Sequence, residues 1–354
     1  MNLTIYKGKK VFLTGHTGFK GSWMTYWLQT LGAEVVGYSL RPNTEPNHFE
    51  LLKLDLESYY NNICDIDMLK NAIKISKPDI IFHLAAQPLV RYSYQNPIET
   101  YQTNVIGTAN VMEAARNCDS VKAIVIITTD KCYENIEQRK GYVETDKMGG
   151  YDPYSCSKGC VELVVSSYRN SFFNLNDFQI KHQTLLATAR AGNVIGGGDW
   201  SIDRLIPDLI NGILINKKTI IRYPKSTRPW QHVLEPISGY LMLGEKLLDS
   251  KIDFASGWNF GPEENEVLTV EDVLEFSKNI WNKINFELES KIKHPHEAGL
   301  LSLNIDKAKN KLGWIPKWNN LKSITKTIEW YKEFYESCSI NTHSDLNEYI
   351  NEIY

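Results

Sequence analysis

Short apolar runs alternate with longer amphipathic stretches through the first 190 residues. The runs fall at 10–14, 34–38, 80–84, 123–128 and 184–189, and several are rich in Val and Ile without a clean period of two. Strands buried on both faces read this way, because neither face needs polar residues. Between them, 21–31, 66–76, 97–117 and 153–173 carry helical spacing. The alternation predicts a parallel sheet with helices on both sides. Right-handed crossovers make this a doubly wound, Rossmann-type α/β fold.

The texture changes after residue 190. Gly196-Gly197-Gly198 opens a loop, and Pro, Trp and Arg become frequent. Shorter helices are expected at 203–215, 234–249, 269–284 and 319–337, with short strands near 219–222 and 258–260. The expected division is a dinucleotide-binding domain at 1–190 and a smaller α/β substrate-binding lobe at 191–337. The two interleave, a late strand of the lobe joining the main sheet. Residues 338–354 read as a polar tail. There is no internal repeat and no low-complexity tract.

Composition narrows the function classes. Lys and Arg number 39 against 42 Asp and Glu, a formal charge of −3. That balance lacks the basic stripe of a nucleic-acid binder and the polybasic patch of a membrane anchor. No run of about 18 apolar residues suggests a spanning helix. Residues 1–7 lack the apolar centre of a signal peptide. The six cysteines form no C-x-x-C pair, so reduced thiols and a cytoplasmic location are expected.

Candidate chemistry begins where the first strand ends. Val11-Phe12-Leu13-Thr14 runs into Gly15-His16-Thr17-Gly18-Phe19-Lys20-Gly21, and a helix-like stretch follows. Gly15 permits a tight turn, Gly18 a close pyrophosphate, and Gly21 close packing of helix on strand. The helix N-terminus then offers free N–H groups to the phosphates. The spacing is G-x-x-G-x-x-G rather than the commoner G-x-G-x-x-G. About 20 residues on, an acid should grip the ribose of NAD. This chain has Arg41 there and no acid, which leaves NAD and NADP both open.

A second pattern is Tyr154-Ser155-Cys156-Ser157-Lys158. Positions i and i+4 share one helix face. A lysine there is expected to hold the phenol below its usual range and make it a base for a hydroxyl group. Tyr6 and Lys10 have the same spacing but precede the glycine loop. Placement separates the two pairs. Tyr154 follows the strand at 123–128, which ends in Thr128-Thr129-Asp130-Lys131, and ligands bind at such strand ends.

Together these residues resemble the extended short-chain dehydrogenase/reductase family of nucleotide-sugar enzymes. The strings that carry the resemblance are the glycine loop through Ser22-Trp23, Ala85-Ala86-Gln87-Pro88-Leu89-Val90-Arg91, Thr129-Asp130-Lys131-Cys132-Tyr133, Gly150-Tyr151-Asp152-Pro153-Tyr154, Arg190-Ala191-Gly192-Asn193 through Trp200, Arg228-Pro229-Trp230-Gln231-His232 and His294-Pro295-His296-Glu297. Their order spans nearly the whole chain, fading after about residue 335. Family members acting on dTDP- or GDP-sugars read Asp-Glu after the threonine. Asp130-Lys131 is similar instead to the CDP-glucose branch.

The resemblance implies a redox-neutral 4,6-dehydration. Tyr154 takes the C4 hydroxyl proton, Lys158 holds Tyr154 and the nicotinamide ribose, and Thr129 binds the C4 oxygen. Asp130 protonates the leaving C6 hydroxyl, which asks for burial or a charged neighbour. Lys131 departs from the family's glutamate. Either it acts in its neutral form, or it stabilises the enolate while another base or water takes the C5 proton. Cofactor contacts carried over fall on Gly15, Thr17, Gly18, Phe19, Lys20, Gly21, Asp65, Ile66, Leu84, Ala85, Ala86, Gln87 and Thr103. Substrate contacts fall on Asn193, Arg204, Arg228 and Trp230, since a diphosphate needs cations.

No metal is expected. His294, His296 and Glu297 are read as pocket wall, because their spacing gives no single helical face. A 4-epimerase shares the Tyr/Lys pair but needs no acid at C6. A dinucleotide-sensing binding protein of the same fold would lack that pair. Apolar positions on 97–117 and 153–173 suggest a homodimer or a dimer of dimers.

Overall fold

Strand β1 (Lys10–Thr14) shows why the runs have no period of two. Val11 and Leu13 point into one core, Phe12 into another, and all three are fully buried. The computed structural model describes residues 3–138, 140–263, 268–288 and 300–353. After β1 come α1 (Phe19–Thr30), β2 (Glu34–Ser39), β3 (Glu57–Tyr60), α2 (Ile66–Ser76) and β4 (Ile80–His83). Then follow α3 (Gly107–Ala115), β5 (Ala123–Ile127), α4 (Pro153–Ser171) and β6 (Leu185–Ala191). After them come α5 (Leu205–Leu214), α6 (Leu234–Leu248), β7 (Gly257–Phe260), α7 (Val270–Ile280), α8 (Asn320–Ser337) and α9 (Thr342–Ile353).

The seven strands form one parallel sheet in the order β7-β6-β5-β4-β1-β2-β3. One core lies under α1, α6 and α8, with Trp23, Ile237 and Trp330 against Leu13, Phe82 and Val125. The other lies under α2, α3 and α4, with Leu69, Val111 and Val161 against Ile81, Ile124 and Ile126. The doubly wound expectation holds, and the late strand β7 pairs with β6.

Three elements differ from the sequence reading. Strand β3, Glu57-Ser58-Tyr59-Tyr60, is a partly exposed edge strand, so it lacks the apolar run that marks the central ones. The stretch at 97–117 is not one regular helix. Pro97–Tyr101 passes through a π-helical turn at Gln102–Ile106 into α3. Such turns concentrate at functional sites, and Gln102 and Thr103 in this one face the main cleft.

The third difference is the polar tail, which is helix α9 docked on the core. Its apolar residues are few but aligned: Leu346 and Tyr349, three apart, are both buried. The Tyr349 ring meets Trp27 and Trp318 edge-on, at 5.8 and 5.2 Å. Its hydroxyl donates to Glu235 Oε2 at 2.6 Å. Glu235 Oε1 accepts the backbone N–H groups of Lys317 and Trp318, so one buried carboxylate joins α6, the segment before α8, and α9.

Among the described residues, no helix is long and apolar enough to cross a membrane and no cluster of His, Cys, Asp or Glu could hold a metal. His294, His296 and Glu297 lie outside the described residues.

Burial pushes the Glu235 carboxyl up to about 7, against the lowering effect of its hydrogen bonds. The folded chain therefore holds a proton that the unfolded chain, titrating near 4.5, has released. Stability should fall as pH rises from about 4.5 to about 7 and then level off. Glu235→Gln keeps an acceptor for both backbone N–H groups and should flatten that slope, as urea midpoints between pH 4 and 8 will show.

Candidate active site

The carboxyl ends of the central strands open into one cleft of about 1490 Å³, larger than the roughly 300–1,000 Å³ of a site for one small molecule. The turn after β1 forms its floor. Gly15 has φ +76°, and a Cβ there would lie 2.7 Å from the Ala85 backbone nitrogen. A Cβ on Gly21 would lie 2.0 Å from the Gly15 carbonyl oxygen. Gly18 is the N-cap of α1 and offers no side-chain acceptor, so the first-turn N–H groups stay available to phosphate oxygens. A pyrophosphate-bearing dinucleotide fits this cradle.

Thr17 Oγ1 donates to the Leu40 carbonyl at 2.9 Å and contacts Ser39 Oγ at 2.8 Å, tying the loop to the end of β2. Arg41 stacks 4.5 Å over the Tyr60 ring. Gly15, Thr17, Gly18, Phe19, Lys20, Gly21, Arg41, Leu84, Ala85, Ala86 and Thr103 all line the cleft.

Asp65, Ile66 and Gln87 do not line it. Asp65 caps α2, accepting the Met68 N–H at 3.1 Å, and Ile66 begins that helix. Asn61 to Cys64 take the wall position instead. The buried Gln87 amide donates to Thr100 Oγ1 and accepts from the Leu89 N–H. For Asp65 and Gln87 a backbone or side-chain partner holds the polar group away from the cleft.

Helix α4 starts at Pro153 because Asp152 caps it, accepting the Ser155 N–H at 2.9 Å. Ser93 Oγ accepts the Tyr154 N–H at 3.1 Å. This start delivers Tyr154 and Lys158 to the cleft beside Thr129 and Lys131. The Tyr154 and Thr129 hydroxyls share a hydrogen bond. Lys158 Nζ donates to the Ile127 carbonyl, at the end of β5, at 3.2 Å.

Asp130 stands apart from this wall. Its carboxyl is fully buried behind the cleft-lining Gly192, with Oδ1 accepting from Thr129 Oγ1 at 2.8 Å. Oδ2 has no partner among the described residues. A Cβ on residue 192 would fall 1.9 Å from Oδ2, so glycine there is what makes room for the carboxyl.

The electrostatics correct one expectation. Burial pushes the Tyr154 phenol up, and the Thr129 hydrogen bond only partly opposes this. Lys158 does not hold the phenol down. It is itself pushed down to about 8 by burial, against the opposing pull first of Glu162 and then of Cys132. Lys20 is pushed down to about 7, by burial first and then by Arg204 and Lys158. Three cations thus compete for one cleft, as fits a site for anionic ligands.

The residues named for the substrate lie on the same cleft. Asn193, Arg204, Arg228 and Trp230 all line the cleft. Asn193 has φ +49°, and its buried Oδ1 has no partner among the described residues. Arg204 pairs with Asp199 at 2.6 Å; burial would lower it, but that carboxylate keeps it raised.

Sequence reasoning missed Ser93, the Arg91–Asp203 pair at 2.9 Å and the buried Glu162–Arg190 pair at 2.8 Å. Glu162 left a signal of spacing, one further helical turn past Tyr154 and Lys158, and Arg91 and Arg190 stand in the strings quoted above without an assigned role.

Gly15→Ala adds a Cβ to a positive-φ position and presses it on Ala85. A left-handed alanine costs about 1–2 kcal/mol. Dinucleotide binding, measured by tryptophan fluorescence, should weaken at least about tenfold while the chain remains folded.

Comparison with known proteins places the chain in a family. The family model for GDP-mannose 4,6 dehydratase matches residues 12–327. A CDP-glucose 4,6-dehydratase of Salmonella typhimurium is 47% identical over 349 residues, covering 98% of this chain and 97% of its own. Among solved structures, an epimerase from Methanothermobacter thermautotrophicus superposes with TM-score 0.79 at 22% identity, covering 94% of this chain and 95% of its own. A dTDP-glucose 4,6-dehydratase from Bacillus anthracis in complex with NAD gives TM-score 0.75 at 22% identity, covering 92% and 97%. The chain belongs to the GDP-mannose 4,6 dehydratase family, among the extended short-chain dehydrogenase/reductases that act on nucleotide sugars.

Proposed function

We propose that the protein is an NAD-dependent CDP-glucose 4,6-dehydratase, converting CDP-D-glucose to CDP-4-keto-6-deoxy-D-glucose and water. The observation that carries this reading is the near full-length identity to the Salmonella enzyme. The Thr129–Tyr154–Lys158 constellation on a cleft with room for two nucleotides supports it.

NAD, when bound, supplies the acceptor for the C4 hydride and the donor that returns it to C6. Tyr154 takes the C4 hydroxyl proton, and Thr129 binds the C4 oxygen. Lys158 orients the nicotinamide ribose. The 4-ketone acidifies C5, and water leaves from C6 with a proton from Asp130. Its partnerless Oδ2, against the cleft-lining Gly192, supports that role. Lys131, on the cleft wall, acts at C5, as a neutral amine taking the proton or as a cation beside the enolate. Arg204 and Arg228 bind the diphosphate, Asn193 the substrate, and Trp230 packs against it.

We further propose a cytoplasmic enzyme, consistent with six free thiols. Its assembly is a homodimer or dimer of dimers through α4 and the helices at 97–115, where Ile98, Ile106 and Leu163 are exposed.

Incubation with CDP-, dTDP-, UDP- and GDP-glucose, each with NAD or NADP, tests the reading. A 4-keto-6-deoxy product from CDP-glucose with NAD is expected; a C4 epimer would place the protein among the epimerases instead. Lys131→Ala should slow C5 proton exchange with solvent by at least about a hundredfold and slow C4 oxidation far less. Equal slowing of both steps would remove Lys131 from C5 chemistry.

A further inference from the structure

Glu162 has no place in the reaction just described, yet it is among the most constrained side chains in the protein. It lies on α4 eight residues past Tyr154 and four past Lys158, so the three form one stripe of the helix. Its Oε1 accepts from Thr128 Oγ1 at 2.5 Å and from Arg190 Nε at 2.9 Å. Its Oε2 accepts from Thr188 Oγ1 and Arg190 Nη2, both at 2.8 Å. The side chains of Glu162 and Arg190 are only 5% and 6% exposed. Arg190 is fixed in turn: Nη1 donates to the Tyr133 hydroxyl at 2.6 Å and to the Glu144 carbonyl at 3.2 Å.

Stability alone is a poor reason for such a pair. Taking two charges out of water costs about what their attraction returns, and apolar residues of similar volume are often as good or better. What the pair does hold is Thr128. That residue stands between Ile127, whose carbonyl receives the Lys158 ammonium, and Thr129, whose hydroxyl bonds Tyr154 and Asp130. A shift of Thr128 displaces both neighbours together.

We infer that Glu162, clamped by Arg190, is a positioning residue: it pins Thr128 so that Ile127 and Thr129 meet Lys158 and Tyr154 in register. The inference deepens the dehydratase reading and rests on it for its kinetic consequence. It also has an electrostatic consequence that needs no substrate. Lys158 faces Glu162 along its own helix, Cys132 from the segment after β5, Lys20 from α1 and His83 from β4. Glu162 is the leading influence holding the proton on Lys158 against burial.

The full-length protein is tested as Thr128→Val, Thr128→Ser and Glu162→Gln. Thr128→Val is isosteric and removes only the hydroxyl. It should lower kcat for 4-keto product by about tenfold to a hundredfold, with KM for the sugar nucleotide unchanged. Thr128→Ser should restore kcat to within about threefold. In Glu162→Gln, the pH at which acetic anhydride half-maximally acetylates Lys158, read by mass spectrometry, should fall below that of the wild type.

Wild-type kcat in Thr128→Val overturns the inference, and so does an unmoved acetylation profile in Glu162→Gln. A lower melting temperature with kcat intact would make the pair a prop of the fold only. If Glu162→Gln does not fold, the two Thr128 variants decide. If wild type makes no keto sugar, the dehydratase reading fails, while the acetylation profile still judges the positioning.

Discussion

The structure depends on how closely the turn after β1 approaches the start of the segment after β4. The chain runs from β1 outward to β2 and β3, then returns to lay β4 on the other side of β1. That reversal leaves a crevice at the carboxyl ends of β1 and β4, where open α/β sheets bind ligands. Gly15 and Ala85 meet across it with no space for a side chain. Thr14 joins the same seam, its Oγ1 contacting His83 Nδ1 at 2.7 Å and accepting the Ala85 N–H at 3.2 Å. Opening this seam would misplace the phosphate cradle and, through β4 and β5, the catalytic wall.

Much of this was legible in the sequence, and the residues show why. Strands β1, β4 and β5 are buried on both faces, so their composition alone marks them. Edge strand β3 needs only one covered face and is half polar, so nothing in its four residues announces it. Helix α9 escaped because two aligned buried residues, Leu346 and Tyr349, suffice to dock it on a surface that other elements provide. In the site, motif residues adjacent in sequence came together as expected. Side-chain direction was not legible. Asp130 turns inward because Gly192, 62 positions later, leaves it space, and the Gln87 amide turns inward because Thr100 Oγ1 accepts its hydrogen bond. Partners so distant in sequence leave no local pattern.

Burial outweighs the charge partner at the phenol. A cationic lysine one helical turn away suggests a lowered pKa, yet Tyr154 is pushed up because both groups are withdrawn from water. The lysine spends its hydrogen bond on the Ile127 carbonyl. What tends to bring the phenol back is a short-range effect, the Thr129 hydroxyl. The same hydroxyl binds Asp130, so one side chain touches both the proposed base and the proposed acid. Replacing it disturbs two groups at once, and pairwise energies there will not add.

The segment after β6 is held by packing and is not a flexible hinge. Gly196-Gly197-Gly198 reads as an open loop, but each glycine is crowded. A Cβ on Gly197 would fall 2.0 Å from the Trp330 ring, and one on Gly198 2.6 Å from the His48 side chain. The Gly197 carbonyl accepts from Trp23 Nε1 at 2.9 Å, so α1, just past the phosphate cradle, is bolted to the joint. His48 Nε2 reaches Thr342 Oγ1 at 2.8 Å, and Trp330 Nε1 donates to the same hydroxyl at 3.0 Å, so α9 closes the joint from behind. Glycine here serves close approach and not freedom. A joint filled by indole rings resists shear, which holds Arg204 and Arg228 at a set distance from Tyr154. A reaction at three successive sugar carbons needs that constancy, since one bound pose must serve the base, the acid and both hydride transfers.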